Sequence, residues 1–178
     1  MTNPKKNYGE LKNSREIVFI PTGGVRGMGP VTKLVSSRED SLPFALLDSD
    51  NVGKDYKKQL LSGRSKEEKE KVLDVAQFLS EGEFEIEDLL PFESIISIID
   101  RMHRCDQYFE DYCKKGQPIV NQIESWASKN NITLNEGWKV EVARKAQNTF
   151  DKVMVGVKDN LKIAWVSIFQ NLTSVGPK

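Results

Sequence analysis

Apolar residues fall first into short compact runs and then, beyond Pro91, into helix-spaced stripes. Ile17-Val18-Phe19-Ile20, stopped by Pro21, and Phe44-Ala45-Leu46-Leu47 are runs of the kind that a parallel sheet buries on both faces. Between them the glycine-rich stretch Thr22 to Pro30 predicts a flexible loop, and Val31, Leu34 and Val35 are spaced for a short helix. Strand, helix and strand in that order predict a right-handed βαβ unit. Ser65 with Glu68 has capping-box spacing ahead of Val72, Val75, Ala76 and Leu79, so a helix is expected from about Lys66 to Ser80. Phe84-Glu85-Ile86 predicts a third short strand. Phe92, Ile95, Ile99, Met102, Phe109 and Tyr112 then describe one long helix. A second, around Ile123 and Trp126, is closed by Asn130-Asn131. A third follows Gly137, with Val140, Ala143, Phe150, Val153 and Met154 on one side, and a last segment bears Leu161, Trp165, Ile168 and Phe169. The expected fold class is α/β: a polar lead-in over 1–16, a small parallel, Rossmann-like sheet within 17–91, and an all-helical C-terminal extension over 92–178.

Composition narrows this picture in five places. At 178 residues and 38% apolar, the chain can build one good core, or an α/β unit with a helical extension. Lys+Arg and Asp+Glu are equal at 26 each, so any binding of nucleic acid has to rest on a local basic patch rather than on net charge. Cys105 and Cys113 lie eight apart in a region expected to be helical, two turns from one another and beyond disulfide reach, which implies a reduced, cytoplasmic chain. No apolar run approaches the roughly 20 residues of a membrane span, and the lone His103 has no Cys or His at zinc-ligand spacing.

The candidate chemistry sits where the runs end. Phe44 to Leu47 stops at Asp48 and Asp50, and Phe84 to Ile86 stops at Glu87 and Asp88. Strand ends of a parallel sheet share one edge, so the two acidic pairs are expected to converge there, with Gly53 turning the chain towards Lys54, Lys57 and Lys58. Converging carboxylates repel one another and raise one another's pKa; a divalent cation removes that conflict, and oxygen-only ligands suit magnesium or manganese better than zinc. Such a site suits phosphoryl transfer. Two other readings fail on spacing. The glycines before Pro30 are not followed by the Lys-Ser or Lys-Thr of a phosphate loop, and a calcium loop starting at Asp48 would place Val52 and Gln59 where oxygen ligands belong.

Taken together, Ile17-Val18-Phe19-Ile20-Pro21-Thr22-Gly23-Gly24, Ala45-Leu46-Leu47-Asp48-Ser49-Asp50-Asn51-Val52-Gly53 and Glu85-Ile86-Glu87-Asp88-Leu89-Leu90-Pro91 resemble the Toprim domain of OLD-family (overcoming lysogenization defect) nucleases. The resemblance implies a Toprim-like sheet, Asp48, Asp50, Glu87 and Asp88 as ligands of Mg2+ or Mn2+, and Gly23-Gly24 shaping the loop beside them. It also implies metal-dependent cleavage of DNA in an OLD-like, phage-defence type of system with an ATPase domain or subunit as partner. Lys139-Val140-Glu141-Val142-Ala143 matches the family's lysine setting, so Lys139 is the candidate for stabilising developing phosphate charge. The family's first strand, with its glutamate in a Glu-Gly-x-x-Asp motif, has no counterpart before Ile17, which points to a split or longer protein, or to a remnant. Two alternatives stay open. Asp-x-Asp after an apolar strand also describes phosphatases of haloacid-dehalogenase type, and the helices beyond Pro91 suit a non-catalytic interaction module. The oligomeric state is left open.

Overall fold

A computed structural model describes residues 18, 20, 22, 24–36, 42–62, 68–79, 82–149, 157 and 159–174. The described chain is mostly helical around one small parallel sheet of two strands. β1 (Ala45–Leu47) pairs with β2 (Val72–Asp74), Ala45 opposite Val72 and Leu47 opposite Asp74. α2 (Asn51–Ser62) is the crossover between them, and α1 (Val25–Ser36) packs against α2. Lys57 on α2 clamps the crossover to the sheet, its Nζ 2.5 Å from the Asp74 carboxylate.

The βαβ unit is therefore β1-α2-β2, one step later in the chain than the sequence pattern predicts. Of the expected first strand, Val18 and Ile20 are exposed and unpaired with the sheet, while Ile17, Phe19 and Pro21 lie outside the described residues, as do positions 1–16. The glycine-rich stretch is helical rather than a loop from Val25 onward, with Pro30 inside α1. Gly27 lies so close to the Thr22 carbonyl that a Cβ there would collide with it, so this glycine serves close packing. Gly24 has φ +95° just before α1, and Gly23 lies outside the described residues.

The helix expected to Ser80 is the larger correction. Within it lie a 3-10 turn (Lys69–Lys71), β2 and a second 3-10 turn (Val75–Gln77), while Ser65, Lys66 and Ser80 are outside the described residues. Val72, Leu73 and Val75 are all buried, and a strand covered on both faces has no period-two signal to distinguish it from a helix. The Glu68 carboxylate accepts from the Leu42 backbone N–H (3.1 Å) and from the buried Lys71 ammonium (2.6 Å), which also donates to the Leu42 carbonyl. The third expected strand is an extended loop leading into a 3-10 turn, Ile86–Leu89. One sheet-like contact survives: the Ser49 N–H donates to the Phe84 carbonyl at 2.8 Å.

Beyond Pro91 the helical expectation holds, but the long helix breaks. α3 (Phe92–Met102) ends at His103, and α4 (Phe109–Tyr112) restarts where the Asp100 carboxylate accepts the Phe109 N–H at 2.6 Å. His103 is thus at a helix end, Cys105 in the turn beyond it, and both cysteines are free thiols. α5 (Ile119–Lys129) closes at Asn130-Asn131, with Asn131 left-handed at φ 55°. α6 (Trp138–Asn148) and α7 (Asp159–Ser174) follow. On α6 it is Val142 and Ala146 that are buried, while Val140 is 72% exposed; Phe150, Val153 and Met154 fall outside the described residues. Two cores result. Ile95, Ile99, Phe109, Ile123, Trp126 and Val142 pack α3 to α6 together, and Val75, Phe84, Leu89 and Ile168 join α7 to the sheet side. Among the described residues no helix is long and apolar enough to cross a membrane.

Candidate metal centre

β1 is pinned at its carboxyl end by its own continuation. Leu47 is buried, Ser49 is buried with both its N–H and its hydroxyl donating to the Phe84 carbonyl, and the chain between them can only carry Asp48 towards the 83–88 loop. There the Asp48 Oδ1 accepts the Ile86 N–H at 2.9 Å. That loop approaches the 3-10 turn in extended form, with Glu85 at φ −109° and ψ 171°, and Phe84 buried beside it anchors the segment in the core. Glu85 and Glu87 both flank Ile86, whose side chain is exposed.

One carboxylate oxygen from each of Asp48, Glu85 and Glu87 lies within 4.8 Å of the others, and all three residues are half-buried. Lys139, at the start of α6, places its ammonium on the Glu85 carboxylate. Val142 and Ala146 bury the neighbouring stripe of α6, which fixes the helix against α3 and leaves Lys139 facing the acids.

Burial raises the Asp48 carboxyl above its ordinary range; the Ile86 N–H opposes this, Glu85 and Asp50 add to it, and Lys139 offsets part. Glu87 is raised by burial too, against its own backbone N–H and Lys139, with Glu85 and Asp48 pushing it further up. For Lys139 burial pulls the ammonium down, but the hydrogen bond to Glu85 and the fields of Glu87, Glu85 and Asp48 outweigh it, so its pKa is raised. The three acids therefore hold one internal cation and still repel one another.

Of the residues expected at the site, Asp48, Glu87 and Lys139 are brought together, and Asp50 and Asp88 are not part of the three-carboxylate cluster. Asp50 stands before α2 and its Oδ1 accepts the Gly53 N–H at 2.7 Å, a helix N-cap. Asp88 accepts the Glu85 N–H through Oδ2 and the Ile119 N–H through Oδ1, each at 2.9 Å, tying the 3-10 turn to the start of α5. Burial raises Asp88 as well, with those two N–H groups opposing. Glu85 is the residue sequence reasoning missed. Its signal is the alternation Phe84-Glu85-Ile86-Glu87, which in extended backbone sends the two glutamates to one side.

The donor set fits a hard divalent cation: three carboxylate oxygens, no sulfur or imidazole, at a spacing that one ion can bridge. Compared with family models, curated proteins and solved structures, the chain matches none.

Proposed function

We propose that Asp48, Glu85 and Glu87 hold Mg2+ or Mn2+ and that the centre hydrolyses phosphodiesters, as a Toprim-type DNA nuclease module working with an ATPase partner. The observation that carries this reading is the convergence of the three carboxylates with Lys139 at the carboxyl end of β1, where open α/β folds place their ligands. A bound cation would supply Lewis-acid polarisation of a phosphoryl oxygen and an acidified water. The protein's own part is to hold the carboxylates in one place, through Ser49, Phe84 and the Ile86 N–H, and to keep an ammonium beside them. Lys139, whose ammonium sits on the Glu85 carboxylate, would neutralise a non-bridging phosphate oxygen were that carboxylate to serve a cation. Glu85 adds the third carboxylate that the family pattern would take from an earlier strand.

Calorimetric titration with Mn2+ and metal-dependent nicking of supercoiled plasmid test this reading. Binding and nicking are expected in the native protein, and both are expected to vanish in the double variant Asp48→Asn/Glu87→Gln. Lys139→Ala should lower turnover by about a hundredfold or more while metal affinity is kept or raised. A protein that neither binds Mn2+ nor nicks overturns the proposal. A phosphoaspartate trapped on Asp48 would replace it with phosphatase chemistry, although Asp50, the acid such chemistry needs, has one oxygen committed to the Gly53 N–H.

A further inference from the structure

The structure holds a second polar site, on the face of α5 turned away from the core. A cavity of about 480 Å³ opens between α4, the loop after it and α5, with Tyr112, Lys114, Asn121, Gln122, Ser125 and Lys129 among its walls. Asn121, Ser125 and Lys129 recur every four residues and so form one stripe of the helix. Ile119, Ile123 and Trp126 bury the opposite side. The other wall is rigid. Gln122, only 9% exposed, accepts the Lys114 N–H through Oε1 (2.5 Å) and donates through Nε2 to the Lys114 and Gln117 carbonyls at 3.0 and 3.1 Å. Those three bonds fix the loop that carries Lys114. At the far end Lys129 rests its ammonium over the Tyr112 ring, 4.8 Å from the centroid.

The walls contain no carboxylate, and among the described residues neither Lys114 nor Lys129 has an acidic partner within 4.0 Å. Two lysines in the walls, together with the amide and hydroxyl groups of Asn121 and Ser125 along the helix stripe, suit an anion laid along α5. Asn121 to Lys129 spans about 12 Å of helix, room for about three phosphates at the spacing of one strand. We infer that this groove binds the phosphodiester backbone of a nucleic-acid strand. Because net charge is zero, a local patch is the only source of such affinity, and this is one. The choice of nucleic acid as occupant rests on the proposed nuclease reading; the groove itself does not depend on the metal.

The test is therefore made without metal. Fluorescence anisotropy of a labelled thymidine oligonucleotide, in EDTA, is compared for the native chain, Lys114→Gln/Lys129→Gln and Asn121→Asp. Both variants change exposed side chains, and unaltered circular dichroism melts confirm that they fold. The double variant is expected to bind at least tenfold more weakly, with the slope of log affinity on log salt reduced by about 1.4 for two lost contacts, and Asn121→Asp should weaken binding as well. Affinity unchanged in both variants overturns the inference. So does displacement of the oligonucleotide by a poly-glutamate peptide as readily as by unlabelled oligonucleotide, or binding of inorganic phosphate alone. Loss of Mn2+ binding with oligonucleotide binding intact would count against the acidic centre only.

Discussion

Asp48 and Asp50 stand one residue apart, and their carboxylates face different backbones. Asp50 accepts the Gly53 N–H and begins α2, whereas Asp48 accepts the Ile86 N–H across the gap to the 83–88 loop and joins two glutamates. Gly53 sits between these arrangements, and a Cβ on it would run into the Asp48 carbonyl, so the glycine is required by close approach. Asp50→Ala is expected to cost about 1 kcal/mol as a lost N-cap, read as a fall of about 2–4 °C in Tm, with metal binding retained. Asp48→Asn should show the reverse: the amide oxygen still accepts the Ile86 N–H, stability is kept or raised, and Mn2+ binding is lost. Thermal melts with and without Mn2+ distinguish the two. Equal losses of binding in both would place Asp50 among the ligands.

The turn at Ile86–Leu89 joins several parts of the described chain. It carries Glu87 into the acidic cluster, its Leu89 carbonyl accepts the Trp165 indole N–H from α7 at 2.8 Å, and its Asp88 holds the first N–H of α5. Asp88 is thereby a connector. Asp88→Asn leaves one oxygen for two N–H donors and turns an NH2 group towards one of them, so a loss of about 1–3 kcal/mol is expected. A chemical denaturation curve would measure it, and an unchanged midpoint would show that both N–H groups find other acceptors. The sequence pattern could not separate Asp88 from Glu87, because adjacency says nothing about which carboxylate faces backbone and which faces other acids.

At the scale of the whole molecule, the acidic centre sets a pH dependence whose sign follows from burial. Asp48 and Glu87 have raised carboxyl pKa values in the folded chain, so the fold holds their protons more tightly than the unfolded chain does. Their contribution is fully present below about pH 4, where the unfolded carboxyls are protonated, and is lost as pH rises through the folded values. Asp48→Asn/Glu87→Gln removes that loss. The variant is therefore expected to melt above the native protein at neutral pH, with the difference vanishing near pH 4. Saturating Mn2+ should stabilise only the native protein. A Tm difference independent of pH would show that the carboxyls do not carry it.

The sequence alone determined the broad layout: the run ending at the buried Leu47 and the helix-period stripes around Ile95, Ile99, Ile123 and Trp126 follow burial, because burial is what writes those patterns, whereas the stripe through Val140 does not. It also singled out Asp48, Asp50, Glu87 and Asp88 alike, since charge at the end of an apolar run is conspicuous, whereas Lys139 was marked only by the resemblance of its Lys-Val-x-x-Ala setting. Tertiary packing decided the rest. Val72 to Asp74 became strand because β1 offered a partner on one edge and Val72 and Leu73 are buried on alternate faces, and the stripe from Ile99 to Phe109 broke because Asp100 could cap a new helix. Glu85 entered the cluster, and Asp50 and Asp88 turned to backbone N–H groups, because hydrogen-bond partners far along the chain settle where a carboxylate points, and a linear sequence does not contain those distances.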